Sequence, residues 1–137
     1  MPGPRMVLCV SHSPLMDGAN GGLAGSRFSE ALDLAAAEVA RFSPELVVFF
    51  GPDHVRAFVD VVPSVAVVRS AVGYGDWGTP DGDYDVDRET ADSVAVALLE
   101  SGVDVTVGDG GRLDEGVGQS WMELIGGIGA VPVVPIV

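Results

Sequence analysis

The chain has 137 residues, enough for one domain with a sizeable core, and its 47% hydrophobic content is broken into runs shorter than the ~20 apolar residues a membrane-spanning helix needs. Twenty acidic against seven basic residues give a formal net charge of −13, which repels phosphate backbones and anionic membrane surfaces and argues against nucleic acid and membranes as partners. All seven basic residues are arginine, so no lysine is present to form a Schiff base or to serve a phosphate-binding loop.

In chain order, Met6–Val10 reads as a first strand, apolar on both faces, ended by a turn over Ser11–Pro14 that carries His12. The run is too short and too soon interrupted for a secretory leader, and Cys9, the only cysteine, excludes an internal disulfide. A cytoplasmic protein is expected, with Cys9 buried in its strand. Asp17–Ser26 is rich in glycine but lacks the order of a dinucleotide-binding loop, and reads as a plain connection. Phe28, Leu32, Ala35, Ala36, Val39 and Phe42 recur at helical spacing, which predicts an amphipathic helix from about 24 to 41 stopped by Ser43-Pro44.

Leu46–Phe50 is the next strand, and the strand, helix, strand order predicts a right-handed βαβ unit with parallel strands. Its tip, Gly51-Pro52-Asp53-His54, bears the second of the two histidines. Ala57–Val62 and Val65–Val72 suggest two further short strands joined at Pro63-Ser64 as a hairpin, and 73–87 an aromatic, acidic loop. The spacing Asp81, Asp83, Asp85, Asp87 resembles the start of a calcium loop, but Val86 stands where glycine is needed and Asp92 where glutamate is. The spacing therefore reads as a solvated turn leading to a helix N-cap at Asp87.

That helix runs to about Ser101 with Ala91, Val94, Ala95 and Leu98 on its core face and Gly102 just past its end. Val103–Val107 is a strand, Gly108–Gly118 a flexible loop with adjacent carboxylates Asp114 and Glu115, Gln119–Ile128 a short helix, and Val131–Val137 a strand. The order predicts a single α/β domain over 1–137: a three-layer, largely parallel open sheet with helices on both faces.

In such a sheet ligands collect beyond the carboxyl ends of the strands. Both histidines sit at such ends, and neighbouring strands are only about 4.8 Å apart, so two imidazoles at their tips can converge on one ion. His12 and His54 are thus candidate metal ligands, with Asp53 a candidate to orient His54 from behind or simply to close an Asx-turn. Two histidines and a carboxylate suit Fe(II) with open positions, and zinc suits the same ligands.

At these residues the sequence resembles the class III extradiol ring-cleavage dioxygenases, and among them those acting on 2,3-dihydroxyphenylpropionate-like catechols. VLCVSHSPL (7–15), FSPELVVFFGPDH (42–54), SGVDVTV (101–107) and LDEGVGQSWMELIGGIGAVPVVPIV (113–137) carry the likeness in order across essentially the whole chain. The resemblance implies cleavage of a substituted catechol with O2 at Fe(II), with His12 and His54 as iron ligands and with Asp114 and Glu115 lining the catechol pocket as catalytic residues.

The chain departs from the family in two ways. The family pattern Asp-His-Gly is here Asp114-Glu115-Gly116, and the family chain is about twice as long, with a glutamate ligand and a further histidine falling beyond Val137. The chain therefore resembles an N-terminal half. Three expectations stand side by side: an inactive metal-binding or assembly module with an exposed apolar edge at Val131–Val137, a homo-oligomer or site completed by another chain, or Glu115 as a third ligand. A small-molecule binder using Arg112 in the 108–118 loop for an anion is a further alternative.

Overall fold

The computed structural model describes residues 3–12 and 22–137. The expected turn beyond His12 and the first part of the glycine-rich stretch, Asp17–Gly21, lie outside the described residues.

Helix α1 (Gly22–Phe42) starts two residues earlier than its periodicity suggests and takes up the rest of the glycine-rich stretch. Its expected core face holds: Leu32 and Val39 are buried, and Phe28, Ala35, Ala36 and Phe42 are half-buried. Ser43, at φ 52°, turns the chain out of the helix ahead of Pro44. The strands follow as β1 (Val47–Phe50), β2 (Ala66–Val68), β3 (Ala71–Tyr74) and β4 (Asp81–Asp83). Then come α2 (Arg88–Glu100), β5 (Thr106–Gly108), β6 (Gly111–Leu113), α3 (Glu115–Leu124) and β7 (Val133–Ile136).

One sheet has the order β1-β7-β2-β5, with β1 parallel to β7, β7 antiparallel to β2, and β2 parallel to β5. A smaller sheet has the order β4-β3-β6, antiparallel then parallel. Successive residues on β7 and β2 face opposite ways. Val134, Ile136 and Val67 therefore pack on Ala91 and Ala95 of α2, while Val133 and Val68 pack on Val117 and Trp121 of α3. Helices thus cover both faces of a largely parallel sheet, and α1 lies against α3. The α2 prediction holds in detail: Asp87 caps it by accepting from the Thr90 amide at 3.0 Å, and Gly102 follows it at φ 80°.

Four expectations are corrected. Met6–Val10 forms no strand; Val7 is 89% exposed, Cys9 is exposed rather than buried, and no strand precedes α1 among the described residues, so the βαβ unit lacks its first member. An apolar run states a wish for burial, not a partner, and a strand exists only when a neighbour completes its ladder.

Ala57–Val62 is likewise not a strand. Val65–Val72 divides at Arg69-Ser70 between the two sheets, because β2 is completed by β5 and β7 while β3 is completed by β4 and β6.

The 108–118 stretch is not a flexible loop. It holds β6 and the start of α3, and its glycines serve close contact: a Cβ on Gly111 would sit 2.7 Å from Val68 Cγ1. Finally, β7 is not an exposed edge. It lies between β1 and β2 and is buried at all four positions.

Candidate metal centre

β1 ends at Phe50, and the Gly51 amide still bonds the Ile136 carbonyl at 3.0 Å, so the 51–58 turn springs from the carboxyl end of the sheet. Asp53 folds that turn. Its carboxylate accepts from the amides of Arg56 at 2.8 Å, Ala57 at 2.9 Å and Phe58 at 3.1 Å. These bonds hold Val55 at φ 63°, a left-handed conformation that costs a β-branched residue of order 1–3 kcal/mol. Asp53 is therefore the turn's own closure rather than the group behind His54. A carboxylate shared among three backbone amides is committed to them.

The group behind His54 comes from α3. Asp114 is buried, caps α3 by accepting from the Gly116 amide at 3.0 Å, and places its other oxygen 2.9 Å from His54 Nδ1 and 3.3 Å from the His54 amide. A carboxylate at a helix N-terminus is favoured by the unpaired amides and the macrodipole there. In the tautomer whose Nδ1–H donates to Asp114, Nε2 carries the lone pair and is the nitrogen left to bind an ion.

The approach of α3 to the turn depends on Gly116, where a Cβ would meet Pro52 Cγ at 2.8 Å and His54 Cε1 at 3.1 Å. Gly118 plays the same part against Thr79, whose Cβ would lie 2.7 Å from its own.

His12 reaches the same place. Its ring centre is 5.4 Å from that of His54, with the planes tilted by 54°. Among the described residues, His54, Asp114 and Glu115 offer ligand atoms within 4.8 Å of one another, and Glu115 Oε1 lies 3.5 Å from His54 Nδ1. Burial holds the Glu115 carboxyl above the usual carboxylate range, and the neighbouring charges of Asp114 and Asp76 push the same way.

Of the candidates named from the sequence, His54, Asp114 and Glu115 bring their ligand atoms into one group, and His12 stands outside that group with its ring beside that of His54. Sequence reasoning missed the task of Asp114 in orienting His54, the close approach at Gly116 and the presence of Asp76. The pattern Asp-Glu-Gly ahead of an apolar run was a legible helix start that pointed to the first of these. Beside the site lies a hollow of about 120 Å³ lined by Asp53, Val55, Phe58 and Val137 among others. This is small against the ~300 Å³ and more of ordinary small-molecule pockets.

The chain is similar to curated dioxygenases over nearly all of its length. It is 40% identical over 136 residues to a 2,3-dihydroxyphenylpropionate/2,3-dihydroxicinnamic acid 1,2-dioxygenase of Rhodococcus sp, covering 97% of this chain and 43% of the relative. Against dioxygenase 1 of the same name from Pseudomonas putida the identity is 40% over 132 residues, 93% of this chain and 41% of the relative. Against the Escherichia coli K12 / DH10B protein of that name it is 37% over 139 residues, again 93% and 41%. The chain thus spans about two fifths of the length of these relatives. No family model matches it.

Proposed function

We propose that this homologue of the 2,3-dihydroxyphenylpropionate 1,2-dioxygenases supplies one wall of a non-heme Fe(II) centre that opens the ring of a substituted catechol with O2. The observation that carries this reading is the buried Asp114 carboxylate 2.9 Å from His54 Nδ1, with the His12 ring beside it. A carboxylate behind one imidazole nitrogen is how proteins aim the other at a metal.

The donor chemistry fits a ferrous ion. His12 and His54 Nε2 would hold it, and the bound ion would supply open coordination positions at which a diol and dioxygen can meet. The protein's own contribution is placement and protons. Asp53 fixes the turn that carries His54, and Asp114 fixes the ring within that turn. Glu115, with its carboxyl raised by burial, is placed to exchange a proton with a substrate hydroxyl.

A second duty for Glu115, as third ligand, needs its carboxylate to turn from the Nδ1 side of His54, where Oε1 lies 3.5 Å from that nitrogen, toward an ion on Nε2. Ferrous affinity in Glu115→Gln separates the two duties: an unchanged value removes Glu115 from the ligand set. The small hollow and the partial span of the relatives favour a site completed by further polypeptide, in a homo-oligomer or by another chain.

Loading the protein with Fe(II) without oxygen, then mixing it with 2,3-dihydroxyphenylpropionate and air, tests the reading. A coloured ring-fission product that disappears in His12→Ala supports an active centre. Stoichiometric metal without product supports an inactive metal-binding module that awaits completion. Failure to bind metal overturns both.

A further inference from the structure

Two arginines beside the candidate centre share one aromatic ring. The guanidinium carbon of Arg56 lies 5.1 Å from the centre of the Tyr74 ring and that of Arg112 lies 4.6 Å from it. The two charges are therefore no farther apart than those distances taken together. Each belongs to a segment that builds the centre: Arg56 follows His54 by two residues, and Arg112 precedes Asp114 by two. Two residues of chain reach at most about 7 Å, so both arginines start close to the His54–Asp114 pair. Tyr74 ends β3, in which Val72 is the register partner of Arg112, so Tyr74 lies diagonally across the ladder from it.

Like charges so placed repel. The ring face attracts each guanidinium without cancelling that repulsion. Arg41, Arg69 and Arg88 each have a carboxylate partner, while Arg5 and Arg27 show none among the described residues and share no ring. Among the described residues Arg56 and Arg112 form no ion pair, and both are exposed. A guanidinium stacked on a ring keeps its N–H fork free at the edge, and that fork matches the two oxygens of a carboxylate.

The geometry points to a carboxylate-binding subsite, formed by Arg56 and Arg112 over Tyr74, that takes the acid group on the side chain of the substrate. This rests on the catechol reading for the remainder of the ligand. The two substrates in the relatives' names, a phenylpropionate and a cinnamic acid, each carry a carboxylic acid on a three-carbon arm from the ring. The diol then lies toward the histidines and the acid toward the arginines, which fixes which ring edge meets the centre.

The test uses two probes, 3-phenylpropionate with the acid and no diol, and 3-propylcatechol with the diol and no acid. Equilibrium binding of each is measured on wild type, Arg56→Gln, Arg112→Gln and Arg112→Lys, with and without Fe(II). The subsite predicts that 3-phenylpropionate binds with or without metal, weakens with added salt, and loses roughly 10- to 100-fold in either Gln variant. The Lys variant loses less, and 3-propylcatechol is unaffected by all three.

Equal 3-phenylpropionate affinity across the series, no binding of it to wild type, or parallel loss of both probes overturns the subsite. Failure of 3-propylcatechol to bind the iron-loaded wild type instead counts against the catechol reading, and leaves the subsite to be judged on the acid probe alone.

Discussion

The two histidine-bearing stretches look alike as sequence, each an apolar run that breaks into a polar turn, yet the fold treats them differently. Around His54 each part is held: β1 is paired with β7, Asp53 closes the turn, and Asp114 grips the ring. Around His12 the chain forms no ladder and leaves Val7 and Cys9 exposed, although the His12 ring still stands 5.4 Å from that of His54. The difference teaches that an apolar run ending in histidine sets out a ligand, while the partners contributed by distant segments decide how rigidly it is held.

The largest way to break this contrast is at Asp114. Asp114→Ala removes the α3 cap and leaves a buried amide without its acceptor, and is expected to cost about 2–3 kcal/mol of stability, read by denaturant unfolding. It is also expected to weaken ferrous binding by roughly 10- to 100-fold through the loss of His54 orientation. A variant with intact metal affinity would show that His54 is aimed by something else.

How much of this could be read beforehand follows from the same partners. The faces of α1 and α2 and the Asp87 cap were legible because helical spacing and capping are local. The 108–118 stretch was not: its glycines looked like flexibility, whereas Gly111 and Gly116 are there because Val68 and Pro52 approach too closely for a Cβ. Nor was the partner of His54. Asp53 adjoins it in sequence, but Asp114, sixty residues on, touches it. Val133–Ile136 was legible as a strand but not as the member between β1 and β2, since an apolar run does not name its neighbours.

A smaller effect sharpens the comparison by supplying a reference. Asp87 does for α2 what Asp114 does for α3, but holds no histidine. The Thr90 amide and then the Thr90 hydroxyl lower its carboxyl below the usual value. A group depressed in the folded state contributes stability above its unfolded pKa of about 3.9, and that contribution is lost as pH falls through the folded value. Asp87→Asn keeps the cap without the titration, so its stability is expected to fall less steeply than that of wild type below about pH 4, with ferrous binding at neutral pH unchanged. Denaturation midpoints across that range check the first part, and a metal titration the second.

The smallest expected effect is near-absence of protection at Cys9. In the native protein its thiol is expected to react with a maleimide within about threefold of the rate in denaturant, because an exposed thiol is not shielded from the reagent. Protection by a hundredfold would mean that Met6–Val10 docks as a strand after all.

Anaerobic Fe(II) titration of wild type, His12→Ala and His54→Ala tests the central claim most directly. The account predicts one ferrous ion per chain in wild type, with both variants losing more than the ~10–100-fold expected of an orienting partner. A His12→Ala protein that binds iron as wild type does would contradict it, placing the ion on the other side of His54, among Asp114 and Glu115.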